Sequence, residues 1–109
     1  MEHPTLIRPA AYAVYDANKM GKATLFRSPR LMAGLNAFEP GQEHALHAHA
    51  DTDKVYLVLE GSGEFLLEGN EIAMRAGEML VAPAGVPHGI RNPGQQRLLV
   101  LAILASAPG

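Results

Sequence analysis

From residue 23 onward, short runs of Val, Ile, Leu, Phe and Tyr alternate with polar residues, and turn-forming groups separate the runs. The turn signals are Ser28-Pro29, Pro40-Gly41, Gly61-Ser62-Gly63, Gly69-Asn70, Ala76-Gly77, Pro83 to Pro87 and Pro93-Gly94, recurring every 8 to 12 residues. That spacing belongs to an all-β sandwich or barrel. No window carries a sustained 3.6-residue apolar period, so helices are not expected. The pattern predicts strands over 23–28, 31–38, 44–49, 54–60, 63–68, 71–75, 78–82, 87–92 and 96–105. Gly61-Ser62-Gly63 and Gly69-Asn70 read as tight hairpin turns, because glycine tolerates positive φ. The first of these is not a phosphate loop, since no helix pattern follows it.

Residues 1–22 form a mixed, partly extended segment. Tyr12, Val14 and Tyr15 are positioned to begin a strand, and residues 18–21 read as a turn. Residues 23–109 form one domain, as the length of 109 residues implies. The stretch 98–105 is apolar at every position. Both of its faces need cover, from sandwich packing or from a second subunit, and a homodimer is expected.

Composition narrows the function classes. The formal net charge is -2 and there are no cysteines. Lys and Arg are scattered singly, so no nucleic-acid footprint is present. Disulfides and thiolate metal sites are excluded. Residues 1–9 lack a basic stretch followed by an apolar run, and the longest apolar run is too short to span a bilayer. A cytoplasmic protein without membrane contact is expected.

The candidate chemistry lies in histidine. His44, His47 and His49 fall within one stretch, and His88 follows Pro83-Ala84-Gly85-Val86-Pro87. Two histidines at i and i+2 on a strand share a face, and imidazole is the commonest metal ligand. His44 is out of phase with His47 and reads as a rim residue. Tyr56 shares a face with Lys54. A core role is the simplest reading for Phe38, Met32, Met74 and Met79.

The two histidine stretches resemble the cupin superfamily. Its first motif is G-x5-H-x-H-x3–4-E-x6-G. Gly41, His47, His49 and Gly61 fit it, with Lys54 standing where the family has Glu. The second motif, G-x5-P-x-G-x2-H-x3-N, is matched throughout by Gly77, Pro83, Gly85, His88 and Asn92. The resemblance implies a double-stranded β-helix, a small jelly-roll barrel, with the paired histidines and His88 converging in its mouth. It implies a divalent transition metal (Fe, Mn, Ni, Cu or Zn) held by His47, His49 and His88.

Lys54 complicates that picture. A divalent ion and an ammonium about 5 Å apart repel by roughly 7 kcal/mol at an effective dielectric near 20. Several resolutions stay open. Lys54 is neutral, or it swings outward to Asp51, Asp53 or Glu60. Alternatively, Asp51, Asp53, Gln42 or Glu43 replaces the carboxylate, or the site is metal-free and Lys54 contacts an anionic ligand. Side-chain alternation favours Lys54 at the Glu position over a register that puts Asp53 there. Two function classes follow. One is a metal-binding cupin, a dioxygenase- or isomerase-type enzyme acting on a small molecule. The other is a non-catalytic module binding a small anion or sugar. In either case Lys54, Tyr56 and Gln42 are candidate pocket residues.

Overall fold

The alternating pattern resolves into strands almost where it predicts them. The computed structural model describes residues 3–105; the last four residues of the expected domain lie outside that range. The strands are β1 (Gly21–Arg27), β2 (Leu31–Phe38), β3 (Glu43–His47), β4 (Asp53–Glu60), β5 (Ser62–Leu67), β6 (Asn70–Arg75), β7 (Met79–Ala82), β8 (His88–Arg91) and β9 (Leu98–Ala105). They form one sheet in the order β1-β2-β9-β4-β7 and a second in the order β3-β8-β5-β6. All strand pairs are antiparallel.

The core lies between the sheets. Phe38, Tyr56, Val58, Val100 and Ala102 come from the first sheet and meet Phe65, Met74 and Ile90 from the second. Each large side chain removed fully from water contributes about 1.5–3 kcal/mol. Period-two alternation sets which residues these are. On β4, Lys54, Tyr56 and Val58 are buried, while Val55, Leu57 and Leu59 on the other face are half-buried.

Strand β9 sits centrally, between β2 and β4, and this accounts for its doubly apolar character. Leu98, Val100 and Ala102 enter the core between the sheets. On the outer face, Leu99 packs in a second cluster with Leu35 and Ala37, and Ala13, Tyr15, Leu25 and Leu101 pack against it. The N-terminal segment thus covers part of that face within the same chain. The guanidinium of Arg97 lies over the Tyr15 ring, 4.2 Å from its centroid, and pairs with Glu39 at 3.0 Å. These contacts hold the segment down.

Five expectations are corrected. Met79, read as core, is 60 % exposed at the start of β7. Tyr12 ends a short 3-10 helix (Pro9–Tyr12), and Val14 and Tyr15 lie outside any strand; Pro9 fixes φ for the helical turn. The Gly61 turn is not a hairpin, because β4 and β5 belong to different sheets. Gly61 has φ +79°, and a Cβ there would run into the carbonyl of Arg97. Its glycine lets the chain change layers at a crowded corner. Strand β3 ends at His47, so His49 lies beyond it and is exposed. Finally, His44 is not a rim residue, for a reason given below.

Candidate functional site

The site is a cavity of about 330 Å³ on the inner face of the β1-β2-β9-β4 region, and its lining includes Lys22, Thr24, Arg27, Asn36, His44, His47, His49, Lys54 and Tyr56. No acidic side chain lines it among the described residues.

Lys54 reaches the cavity because β4 alternates. Its side chain points inward and the residue is 4 % exposed. Asp53 is exposed, and its Oδ1 accepts the Ala84 N–H at 2.7 Å. The register with Lys54 inward is therefore the one adopted, and Asp53 pins the loop before β8 instead of facing the site. Burial, and next the charge of Lys22, lower the Lys54 pKa.

Two β-bulges shape the rest of the wall. The β3–β8 register shifts between His44 and His47. One added residue inverts the parity, so positions three apart share a face. The His44 and His47 rings stack, with centroids 4.2 Å apart. Buried Nδ1 of His44 has no hydrogen-bond partner. Burial, helped by His47, Lys22 and Lys54, holds the His44 pKa down to about 4. A second shift, between Thr24 and Phe26, pairs Arg27 with Met32. Arg27 thereby joins Lys22 and Thr24 among the lining residues. Sequence alternation alone missed His44 and Arg27, because no residue pattern marks either bulge, and it missed Lys22 although that residue lies in regular register with Thr24.

The hydrogen bonds of the imidazoles fix their roles. Nδ1 of His47 donates to the Ala45 carbonyl at 2.9 Å, so Nε2 carries the lone pair and accepts from Lys54 Nζ at 3.0 Å. Nδ1 of His88 donates to the Val86 carbonyl at 2.9 Å, and Nε2 accepts from the Tyr56 hydroxyl at 3.1 Å. His88 is buried beside Tyr56 and His47, with ring centroids 5.5 Å and 4.4 Å away. Burial lowers the pKa of both rings, and their backbone bonds oppose the shift. Both are neutral imidazoles at pH 7. Burial pushes the Tyr56 phenol up to about 12, so it stays a donor.

His47 and His88 are held together by the β3–β8 pairing, in which their backbones are direct partners. Gly89 makes that approach possible, since a Cβ there would press on the backbone of His44 and Ala45. His49 lies at the mouth, with its ring centroid 5.5 Å from that of His47. Its carbonyl accepts the Gly85 N–H at 2.8 Å, tying the two histidine stretches together. Asn92 is fully buried and closes its turn through Gly94 N–H at 3.2 Å and the Gln96 carbonyl at 2.8 Å. Gln42 does not line the cavity. Its amide oxygen accepts from Glu39 N–H at 2.8 Å and its Nε2 donates to the Asp16 carbonyl at 2.7 Å. Its work is to hold the N-terminal segment.

As placed, these residues do not fit a metal ion. The Nε2 lone pairs of His47 and His88 face protein donors, and an amine stands where a carboxylate ligand is expected. Among the described residues, no three His, Asp or Glu are grouped to hold a metal.

A small double-stranded β-helix with this histidine-rich mouth is the architecture of a cupin. The cupin domain family matches residues 34–104, and the chain belongs to that family. It is 30 % identical over 88 residues to an oxalate-binding protein of Thermotoga maritima, covering 81 % of this chain and 72 % of the relative. It is 33 % identical over 88 residues to quercetin 2,3-dioxygenase of Bacillus subtilis, covering 81 % of this chain but 25 % of that enzyme. The crystal structure of TT1209 from Thermus thermophilus superposes with a TM-score of 0.88 at 36 % identity, covering 94 % of this chain and 98 % of that one. A double-stranded β-helix protein of Klebsiella pneumoniae shares the fold at 20 % identity, with a TM-score of 0.89 and coverage of 95 % and 91 %. The relatives therefore include both binding proteins and dioxygenases. No helix among the described residues is long and apolar enough to cross a membrane.

Proposed function

We propose that this cupin binds a small organic anion, a short mono- or dicarboxylate, in the cavity beside Lys54. The observation that carries the reading is the lining itself: among the described residues that line the cavity, Lys22, Arg27 and Lys54 supply three cations and none is acidic. A buried ammonium with one neutral imidazole as its partner is under-satisfied, since it has three donors. A carboxylate at Lys54 would take up those donors in charge-assisted bonds. The name of the oxalate-binding relative agrees with this ligand class. Binding without turnover is the simplest role for such a site.

A second reading keeps a divalent transition metal on His47, His49 and His88, in a dioxygenase-type enzyme. In its favour are the neutral states of His47 and His88 and the names of dioxygenase relatives. Against it stand Lys54 and the occupied Nε2 atoms.

Isothermal titration of chelator-treated protein tests both. Oxalate and acetate binding in the absence of metal, weakening as salt rises, is the result expected of the anion reading. Binding of Mn²⁺, Ni²⁺ or Zn²⁺ together with anion binding only in their presence would replace it with the metal reading.

A further inference from the structure

Anion capture needs a cation at Lys54, but it does not need that cation to be an amine aimed at a proton acceptor. We propose that Lys54 also forms a reversible imine with a small 2-oxo carboxylate, so that the cavity holds such a ligand covalently. This inference rests on the anion-binding reading. Nζ lies 3.0 Å from Nε2 of His47, within the range of a nucleophile and its base. The base is itself oriented, because its Nδ1–H donates to the Ala45 carbonyl at 2.9 Å and leaves Nε2 to accept. Lys22 and Arg27 line the same cavity and are available to the carboxylate while the carbonyl carbon meets Nζ. An amine, a base and a separate cation together select a carbonyl next to a carboxylate over a simple carboxylate.

The step balances without an oxidant or reductant. The Lys54 ammonium first gives one proton to His47 Nε2, which passes it to solvent at the cavity mouth and leaves Nζ a neutral amine. The Nζ lone pair then bonds to the carbonyl carbon, and the C=O π pair moves to oxygen. His47 Nε2 takes one N–H proton and delivers it to that oxygen, giving a carbinolamine. The nitrogen lone pair then forms C=N as the hydroxyl departs, and the second N–H proton, again through His47, leaves with it. One amine and one carbonyl give one imine and one water.

The test is to incubate the full chain with pyruvate and cyanoborohydride, which reduces an imine to a stable secondary amine. Intact mass and peptide mapping then locate the adduct. Lys19, Lys22 and Lys54 are the only lysines, so the map is direct. The expected result is one adduct on Lys54, forming roughly tenfold or more faster than on exposed Lys19. Lys54→Arg, which keeps the charge, should lose it, and His47→Gln should slow it. Absence of an adduct on Lys54, or labelling of Lys19, Lys22 or the amino terminus at an equal or greater rate, overturns the proposal. Should Lys54→Arg fail to fold, the wild-type map alone still decides. Oxalate has no ketone and separates the two claims. Oxalate binding with no Lys54 adduct overturns the imine alone, and failure of both overturns the anion reading as well.

Discussion

Replacing Lys54 by Met keeps most of the reach of the side chain and removes its charge. Lys54 is 4 % exposed and makes its hydrogen bond to His47, so the replacement leaves apolar stem where apolar stem already packs. A carboxylate bound at Nζ loses one charge-assisted hydrogen bond, about 1.5–3 kcal/mol, or roughly 10- to 150-fold in affinity. Lys54→Glu goes further, because it places a negative charge about 4 Å from the bound anion. At an effective dielectric near 20 that repulsion is about 4 kcal/mol, added to the lost attraction. Solvent at the cavity mouth screens part of it, since Lys22, Thr24 and Arg27 are exposed. Lys54→Met should therefore weaken oxalate binding within that range, and Lys54→Glu should abolish it in the titratable range. The assay is isothermal titration, with thermal melts to confirm folding. The Glu variant should also gain affinity for Mn²⁺, Ni²⁺ or Zn²⁺, because it restores an oxygen ligand beside His47 and His49. Oxalate affinities unchanged in both variants would refute the placement of the ligand at Lys54. Unchanged metal affinity in the Glu variant would refute the view that Lys54 blocks a latent metal site.

Three further outcomes follow from the geometry. The unfolded chain takes up a proton at His44 near the ordinary value of 6.5, whereas the folded chain refuses it until about pH 4, so stability is full above about pH 6.5 and falls as pH drops toward 4. The loss is at most about 3 kcal/mol, and less after solvent screening of this partly exposed ring; melts in chelator that show no such decline, or a decline preserved in His44→Gln, would count against it. Gly89→Ala should lose about 1–3 kcal/mol and loosen the cavity, because its Cβ meets β3 backbone and not a movable side chain; a wild-type melting temperature would contradict the close β3–β8 approach. Met79 and Val81 are 60 % and 55 % exposed on the outer face of the five-stranded sheet, beside half-buried Val55 and Leu57. Strand 98–105, on which the homodimer expectation rests, lies inside the sheet between β2 and β4, so a dimer would have to use this face instead; sedimentation should then give a dimer for the wild type and a monomer for Val81→Lys, and a wild-type monomer at high micromolar concentration would dismiss it.

The strands were legible because alternation and turn residues report directly on backbone geometry. Gly41, Gly61, Gly77 and Gly85 mark positive φ, which all four adopt. Asn92 was legible in the same way, since its side chain closes its own turn. The walls of the cavity were not. Arg27 and His44 reach it through bulges, and a bulge depends on how two distant strands share hydrogen bonds. Gln42 was misplaced for the complementary reason. It is close in sequence to the histidines, but its amide meets Asp16, 26 positions away.

The metal expectation shows where motif spacing stops being informative. Spacing fixes where Cα atoms fall on a barrel, and here it places His47 beside His88, as their backbone pairing records. It does not fix the charge of the group between them. Lys54 occupies the inward β4 position that the motif assigns to Glu, so the same scaffold presents a cation where the motif would present an anion. That single exchange reverses the electrostatics of the pocket. A carboxylate would draw a divalent ion toward the imidazole lone pairs. The ammonium instead donates to one of them and, with Lys22 and Arg27, leaves a field suited to negative charge. The His47 imidazole then acts as the acceptor that orients the amine, while His88 accepts from the Tyr56 hydroxyl.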